Sequence, residues 1–245
     1  MRLHTCPNIC TYREHDLNHR RGRSALVMQV YEYGDLRTLL KKHADYKVGG
    51  RAAPKLLPEL FVWHVLNSLS IALLHMQHGF PPALDGSHDW ILHRDIHPGN
   101  VFLGLPDEPG AFPRVVLGDF GSSISRRDWR AGRSFELRQQ QHFRTPESHA
   151  VDGRNDVYQV RLVIVALCRL TSQPLIYPHQ FQADPGAAGL NYSRALNNVL
   201  RLCLRNSAHS RISALNLWAQ ALERGRRQVG VGGGRQLLLE QILPS

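Results

Sequence analysis

A polar octapeptide, His93-Arg94-Asp95-Ile96-His97-Pro98-Gly99-Asn100, sits between two apolar segments and constrains the chain more than any other feature. Upstream, Phe61, Val65, Leu66, Leu69, Ala72, Leu73 and Met76 recur at three- and four-residue spacing, with Pro58 ahead of them and Gly79 behind. That spacing predicts a long helix opened by proline and closed by glycine. Downstream, residues 101–103 and 115–117 are short β-branched or aromatic runs around a Pro/Gly-rich connection, which predicts two paired strands. The octapeptide therefore lies on a loop between helix and strand. Asp119, in Asp119-Phe120-Gly121, follows the second strand and can face the same cavity as Asp95 and Asn100.

Other stretches extend the pattern. Residues 25–31 read as a buried strand, broken by Gly34-Asp35 before a helix from Leu36 to about Lys42 that Asp35 can cap. Gly49-Gly50 and Pro54 mark residues 47–54 as a connection, and Pro81-Pro82 and Gly86 mark residues 80–90 as a surface insertion before a short strand at 91–92. Residues 156–170 are apolar on most sides, which predicts a helix buried in the middle of the domain. Two further helices fit residues 192–204 and 214–224. The glycine-rich, basic stretch 225–235 reads as a flexible linker and 236–243 as a short amphipathic tail. The fold class is mainly α, with α+β content.

With 245 residues, 42% hydrophobic and 20% charged, the composition is that of a soluble globular chain with one principal core. Four scattered cysteines make no disulfide framework, and a reducing compartment, cytoplasmic or nuclear, is expected. Cys6 and Cys10 lack a second pair at metal-binding spacing, so no structural zinc is assigned. The apolar run 160–170 is interrupted by Arg161 and Arg169 and is short of the ~20 residues that cross a bilayer, so no membrane span is expected. The formal charge of +10 rests on arginine far more than lysine. Arginine suits phosphate and carboxylate partners, and clusters near 20–23, 126–133 and 224–227 make a nucleic-acid binder the weakest of the functional alternatives. Solvated surface charge accounts for them more simply, because no aromatic interleaving accompanies them.

Two carboxylates and an amide around one loop suit phosphoryl transfer, which needs positioning and charge neutralisation more than covalent chemistry. The octapeptide with Asp119-Phe120-Gly121 resembles the catalytic and magnesium loops of eukaryotic protein kinases, in particular NIMA-related serine/threonine kinases. The resemblance makes Asp95 the base or orienter of an acceptor hydroxyl, with His97 and Asn100 beside it, and Asn100 and Asp119 ligands of Mg2+. His93, Arg94, Phe120 and Gly121 would be structural, and Phe102 the floor under the adenine of ATP. Residues 26–36 resemble the connection between the two kinase lobes, which makes Met28 the gatekeeper and places backbone groups of Gln29 and Tyr31 against adenine. Cys6-Pro7-Asn8-Ile9 resembles the turn entering the preceding strand. Thr145-Pro146-Glu147 stands where the family closes its activation segment, Arg211 where it pairs with that glutamate, and Asp156 where it braces the catalytic loop.

The implied organisation is an upper-lobe remnant and hinge at 1–34, a helical lower lobe at 35–224 and a linker with tail at 225–245. The implied substrates are ATP and a protein carrying Ser or Thr. Departures accompany the likeness. His97 replaces a lysine, residues 139–143 lack the usual Gly-Thr-Pro, and Arg161 replaces a glycine. The residues ahead of Ala25 supply no glycine-rich loop, strand lysine or helix glutamate, so the expectation for this chain in isolation is weak or absent activity. The alternative reading is a pseudokinase or interaction module. Ser122, Ser123, Ser125 and Ser134 lie beside arginines and are candidates for phosphorylation, with Arg94 as partner.

Overall fold

A computed structural model describes residues 6–18, 23–48, 56–83, 85, 87–133, 139–147, 152–174, 188–205 and 207–231. Three two-stranded antiparallel sheets accompany six helices among those residues. Strand β1 (Tyr12–Asn18) pairs with β2 (Arg23–Met28), with Tyr12 opposite Met28. The expected strand at 25–31 thus begins two residues earlier and stops at Met28. β1 has no apolar run to announce it, and its strand state is supported by pairing with β2.

Helix α1 (Leu36–Val48) begins where Asp35 Oδ1 accepts the Thr38 N–H at 2.6 Å, and it runs on into the stretch read as a connection. Residues 49–55 lie outside the described set. Helix α2 (Glu59–His78) follows Pro58 and ends at Gly79, whose φ of 79° places it where a Cβ would be strained. By length and composition α2 could cross a membrane, which the run at 160–170 could not. Its apolar side chains are buried in the protein core, which accounts for its hydropathy.

The two strands framing the octapeptide are β3 (Ile91–Leu92) and β4 (Val101–Gly104), and β4 pairs with β5 (Arg114–Leu117). Segments from far upstream flank this hairpin. Cys10 N–H donates to Leu117 O (2.8 Å) and Leu117 N–H to Asn8 O (2.9 Å), while Tyr33 N–H donates to Leu103 O (3.0 Å) and Leu103 N–H to Gly34 O (2.8 Å). The β1–β2 hairpin is thereby tied at both of its ends to the body of the protein.

β6 (Ile124–Ser125) pairs with β3 and leads into the short α3 (Arg126–Arg130), capped by Ser125, whose Oγ also donates to Asp128 at 2.6 Å. Helix α4 (Gly153–Arg169) is capped by Asp152 and packs on α2, with every residue from 155 to 168 buried. Arg161 is among them, fully enclosed and within electrostatic reach of Tyr158 and Cys203. α5 (Arg194–Leu202) is capped by Ser193, and α6 (Ala214–Val231) packs against α2.

A further boundary is corrected at the C-terminal end. The helix expected to stop at Arg224 continues to Val231, so residues 225–231 are helical rather than linker. Arg226, Arg227 and Gln228 are good helix formers, and a helical glycine costs only about 1 kcal/mol. The expected tail at 236–243 lies outside the described residues. All four cysteines are free and buried.

Candidate active site

Asp156, at the start of α4, organises the octapeptide from beneath. Its carboxylate is completely buried and accepts the backbone N–H of His93 (2.9 Å) and of Arg94 (2.8 Å), with Gln77 Nε2 at 3.5 Å. Burial pushes Asp156 up to about 6, against the pull of those donors. Gln159, three residues on and so on the same helical face, accepts the Ile96 N–H (3.0 Å) and donates to Phe143 O (3.0 Å) and Arg94 O (3.3 Å). Arg94 takes a left-handed backbone (φ 70°), held from both sides.

His93 is fully enclosed. Its Nε2 bonds Gly118 O at 3.0 Å, its Nδ1 accepts the Asp95 N–H at 3.3 Å, and its ring packs 4.9 Å from that of Phe120. These partners need the neutral ring with its proton on Nε2. Desolvation lowers the His93 pKa to about 4, so between pH 6.5 and 4 the unfolded chain binds the extra proton. Stability supplied through His93 is complete above pH 6.5 and is lost as pH falls towards 4, by about 3 kcal/mol. Asp95 and Asp156, both raised to about 6, act in the opposite sense. Chemical denaturation of wild type and His93→Asn across this range isolates the histidine: wild type should lose stability more steeply as the solution is acidified.

Asn100 joins the two halves of the site. Its Nδ2 donates to Asp95 O (2.9 Å), and its own carbonyl accepts the Gly118 N–H (2.9 Å), one residue before Asp119. Asp119 has a left-handed backbone (φ 60°) and accepts the Gly121 N–H on Oδ1 at 3.2 Å. Phe120 N–H reaches the Tyr12 hydroxyl at 3.4 Å. The Asp95 carboxylate is held by Gln140 N–H at 3.4 Å; burial raises it to about 6, helped by the negative charge of Asp119 and opposed by Arg37. The segment lacking Gly-Thr-Pro is nevertheless tied to this loop, because Gln139 donates to Arg94 O (3.0 Å) and accepts the Thr145 N–H (3.2 Å).

Glu147 and Arg211 meet at 2.6 Å, away from the loop, with Arg211 also donating to Arg205 O (2.7 Å) and Asn155 Oδ1 (3.3 Å) and stacking on Tyr158. On the opposite side, the ring of Tyr31 lies 5.3 Å from that of Phe102, nearly parallel. Gln29 N–H is taken by Thr11 O (3.3 Å) and Tyr31 O by Gly34 N–H (3.0 Å). Gln29 and Tyr31 line a cavity of about 300 Å³ together with Cys6, Ile9, Thr11 and Val116; Met28, Phe102 and the carboxylates of Asp95 and Asp119 do not. That cavity is distinct from the carboxylate cluster.

Sequence reasoning named the octapeptide, Asp119 and Asp156 but missed Arg37, Gln139, Gln159 and Tyr12. The three-residue spacing of Asp156 and Gln159 was the one available signal. The others act across long chain separations.

No family model matches the chain. Curated proteins do. It is 28% identical over 67% of its length to the serine/threonine-protein kinase Nek2 of Mus musculus, covering 33% of that protein. It is 28% identical over 91% of its length to the G2-specific protein kinase nimA of Emericella nidulans, covering 34%, and 32% identical over 67% to the G2-specific protein kinase fin1 of Schizosaccharomyces pombe, covering 23%. The chain is a relative of the serine/threonine protein kinases. It spans about a third of the length of the Nek2 proteins that it matches. Its helix-rich α+β architecture is compatible with the kinase fold, and the likeness to nimA extends over nearly the whole chain.

Proposed function

We propose that this kinase relative carries the catalytic half of an enzyme that transfers the γ-phosphate of ATP to Ser or Thr of proteins. The observation that carries the reading is the linkage through Asn100, which brings Asp95 and Asp119 within electrostatic reach of each other. Asp95, shifted to about 6, is suited to accept or orient the proton of an attacking hydroxyl. On this reading the described residues from 35 onward belong to the helical lobe, and the β1–β2 hairpin belongs to the lobe above.

The residues fit Mg2+, which prefers hard oxygen ligands and keeps part of its water and phosphate shell. With its Nδ2 committed to Asp95 O, Asn100 can offer Oδ1, and the exposed Asp119 retains Oδ2 beyond its one bond to Gly121. Among the described residues no three His, Cys, Asp or Glu side chains cluster to hold a metal alone, so nucleotide phosphates would complete the shell. The metal supplies charge neutralisation of the phosphates when bound. Gln29 and Tyr31 would receive adenine through their remaining backbone groups. A base seated on the covered face of Phe102 has to displace the Tyr31 ring.

A non-catalytic binding module is favoured by His97, a neutral imidazole where the family has lysine. The two readings separate in one experiment. ATP with Mg2+ at a hundred times its Kd should stabilise the chain by about 2.7 kcal/mol, and Asp119→Asn should abolish that shift. Absence of any magnesium-dependent shift overturns nucleotide binding. A shift without phosphate incorporation into Ser or Thr leaves the binding module.

A further inference from the structure

The contacts around His97 settle which of its nitrogens carries the proton. Nδ1 lies 3.0 Å from the Gly99 backbone nitrogen and 3.2 Å from Nη2 of Arg37. Both groups can only donate, so Nδ1 presents its lone pair and the proton of the neutral ring sits on Nε2. Nε2 faces Oδ2 of Asp95 at 3.7 Å, beyond hydrogen-bond length. The Nε2–H is therefore aimed beside the carboxylate without being consumed by it.

Arg37 reaches this point from the first turn of α1, although it is 60 residues from His97 in sequence. Its guanidinium lies over Gly99, where an added Cβ would come within 2.6 Å of Cζ and 2.9 Å of Nε. Glycine at 99 leaves room that any other side chain would fill. The guanidinium is also close enough to oppose the upward shift of Asp95 and, after burial, to help lower the basicity of His97 to about 4. The positive charge near Asp95 thus resides on arginine, while the imidazole stays neutral.

We propose that Arg37 is a positioning residue of the phosphotransfer site, holding His97 together with the Gly99 N–H as an Nε2–H donor beside Asp95 and supplying the fixed positive charge that a neutral imidazole lacks. The proposal rests on the phosphotransfer reading for its use and on geometry for the lock. Hydrogen-bond donation and charge neutralisation, which a single lysine would combine, are divided between two side chains. Nε2–H is then free to bond a phosphoryl oxygen brought next to Asp95, in the manner of other preorganised donors.

The test uses the full chain with 15N-labelled histidine, the His97 ring signals being identified by their loss in His97→Lys. Wild type should show an unprotonated Nδ1 and a protonated Nε2. Arg37→Gln removes one of the two donors on Nδ1 and leaves the Gly99 N–H, so the Nδ1 signal should move while Nε2 stays protonated, and Gly99→Ala should do the same by pushing the guanidinium away. Thermal melts establish that each variant is folded, and Gly99→Ala carries the test should Arg37→Gln not fold. Phosphate transfer should fall roughly tenfold in Arg37→Gln, whereas in a His97→Lys background the same change should alter the rate by less than about twofold. A wild-type His97 protonated on Nδ1, a folded Arg37→Gln with unchanged ring signals, or an undiminished effect of Arg37→Gln in the His97→Lys background overturns the proposal. A chain that transfers no phosphate but whose His97 signals follow Arg37 sinks the enzyme reading and keeps the lock.

Discussion

Asp156→Ala should destabilise the protein by about 4 kcal/mol, because it strands two buried backbone donors at ~1–3 kcal/mol each and opens a small void. The donors are the N–H groups of His93 and Arg94, and the enclosed carboxylate serves both of them. Asn at this position is no remedy. It keeps one acceptor oxygen but turns an NH2 towards the second donor. Urea titration monitored by tryptophan fluorescence checks the magnitude, and hydrogen exchange at His93 and Arg94 checks the locus. A loss below about 1 kcal/mol would mean that the loop holds its shape without Asp156.

Asp95→Asn should lower the rate of phosphate transfer by about 10²–10⁴-fold, the range expected when a positioned proton acceptor is removed. Magnesium-dependent ATP binding should persist, since Asp95 is not one of the proposed metal ligands. The Asn100 bond to the backbone carbonyl of residue 95 is retained as well, because it does not involve the side chain. Transfer of labelled phosphate from ATP to a generic Ser/Thr protein, set beside the ATP-induced thermal shift, separates chemistry from binding. Equal rates for wild type and Asp95→Asn would remove Asp95 from the reaction.

Much of the architecture was legible locally. The stripe from Phe61 to Met76, bounded by Pro58 and Gly79, became α2; the two short runs around the Pro/Gly connection became β4 and β5. The strand β1 was illegible, because its polar residues acquire their strand state by pairing with β2. The extension of α6 beyond Gly225 was hidden by glycines whose penalty the neighbouring helix formers offset. At the candidate site, the identities of Asp95, Asn100 and Asp119 were plain in the sequence. Gln139, Gln159 and Arg37 were not singled out, although each bonds the octapeptide directly.

By itself, the sequence determined which carboxylates and which amide stand on the loop, and the order of helix and strand around them. Periodicity, caps and turn residues act within a few positions, so a chain carries that information wherever it is read. Only the tertiary structure decided that Asp156 grips the loop from 62 residues away, that Tyr31 covers Phe102, and that His97 keeps its proton on Nε2. Those outcomes depend on burial and on donors delivered by distant segments once α2 and α4 pack together, and no local pattern specifies them.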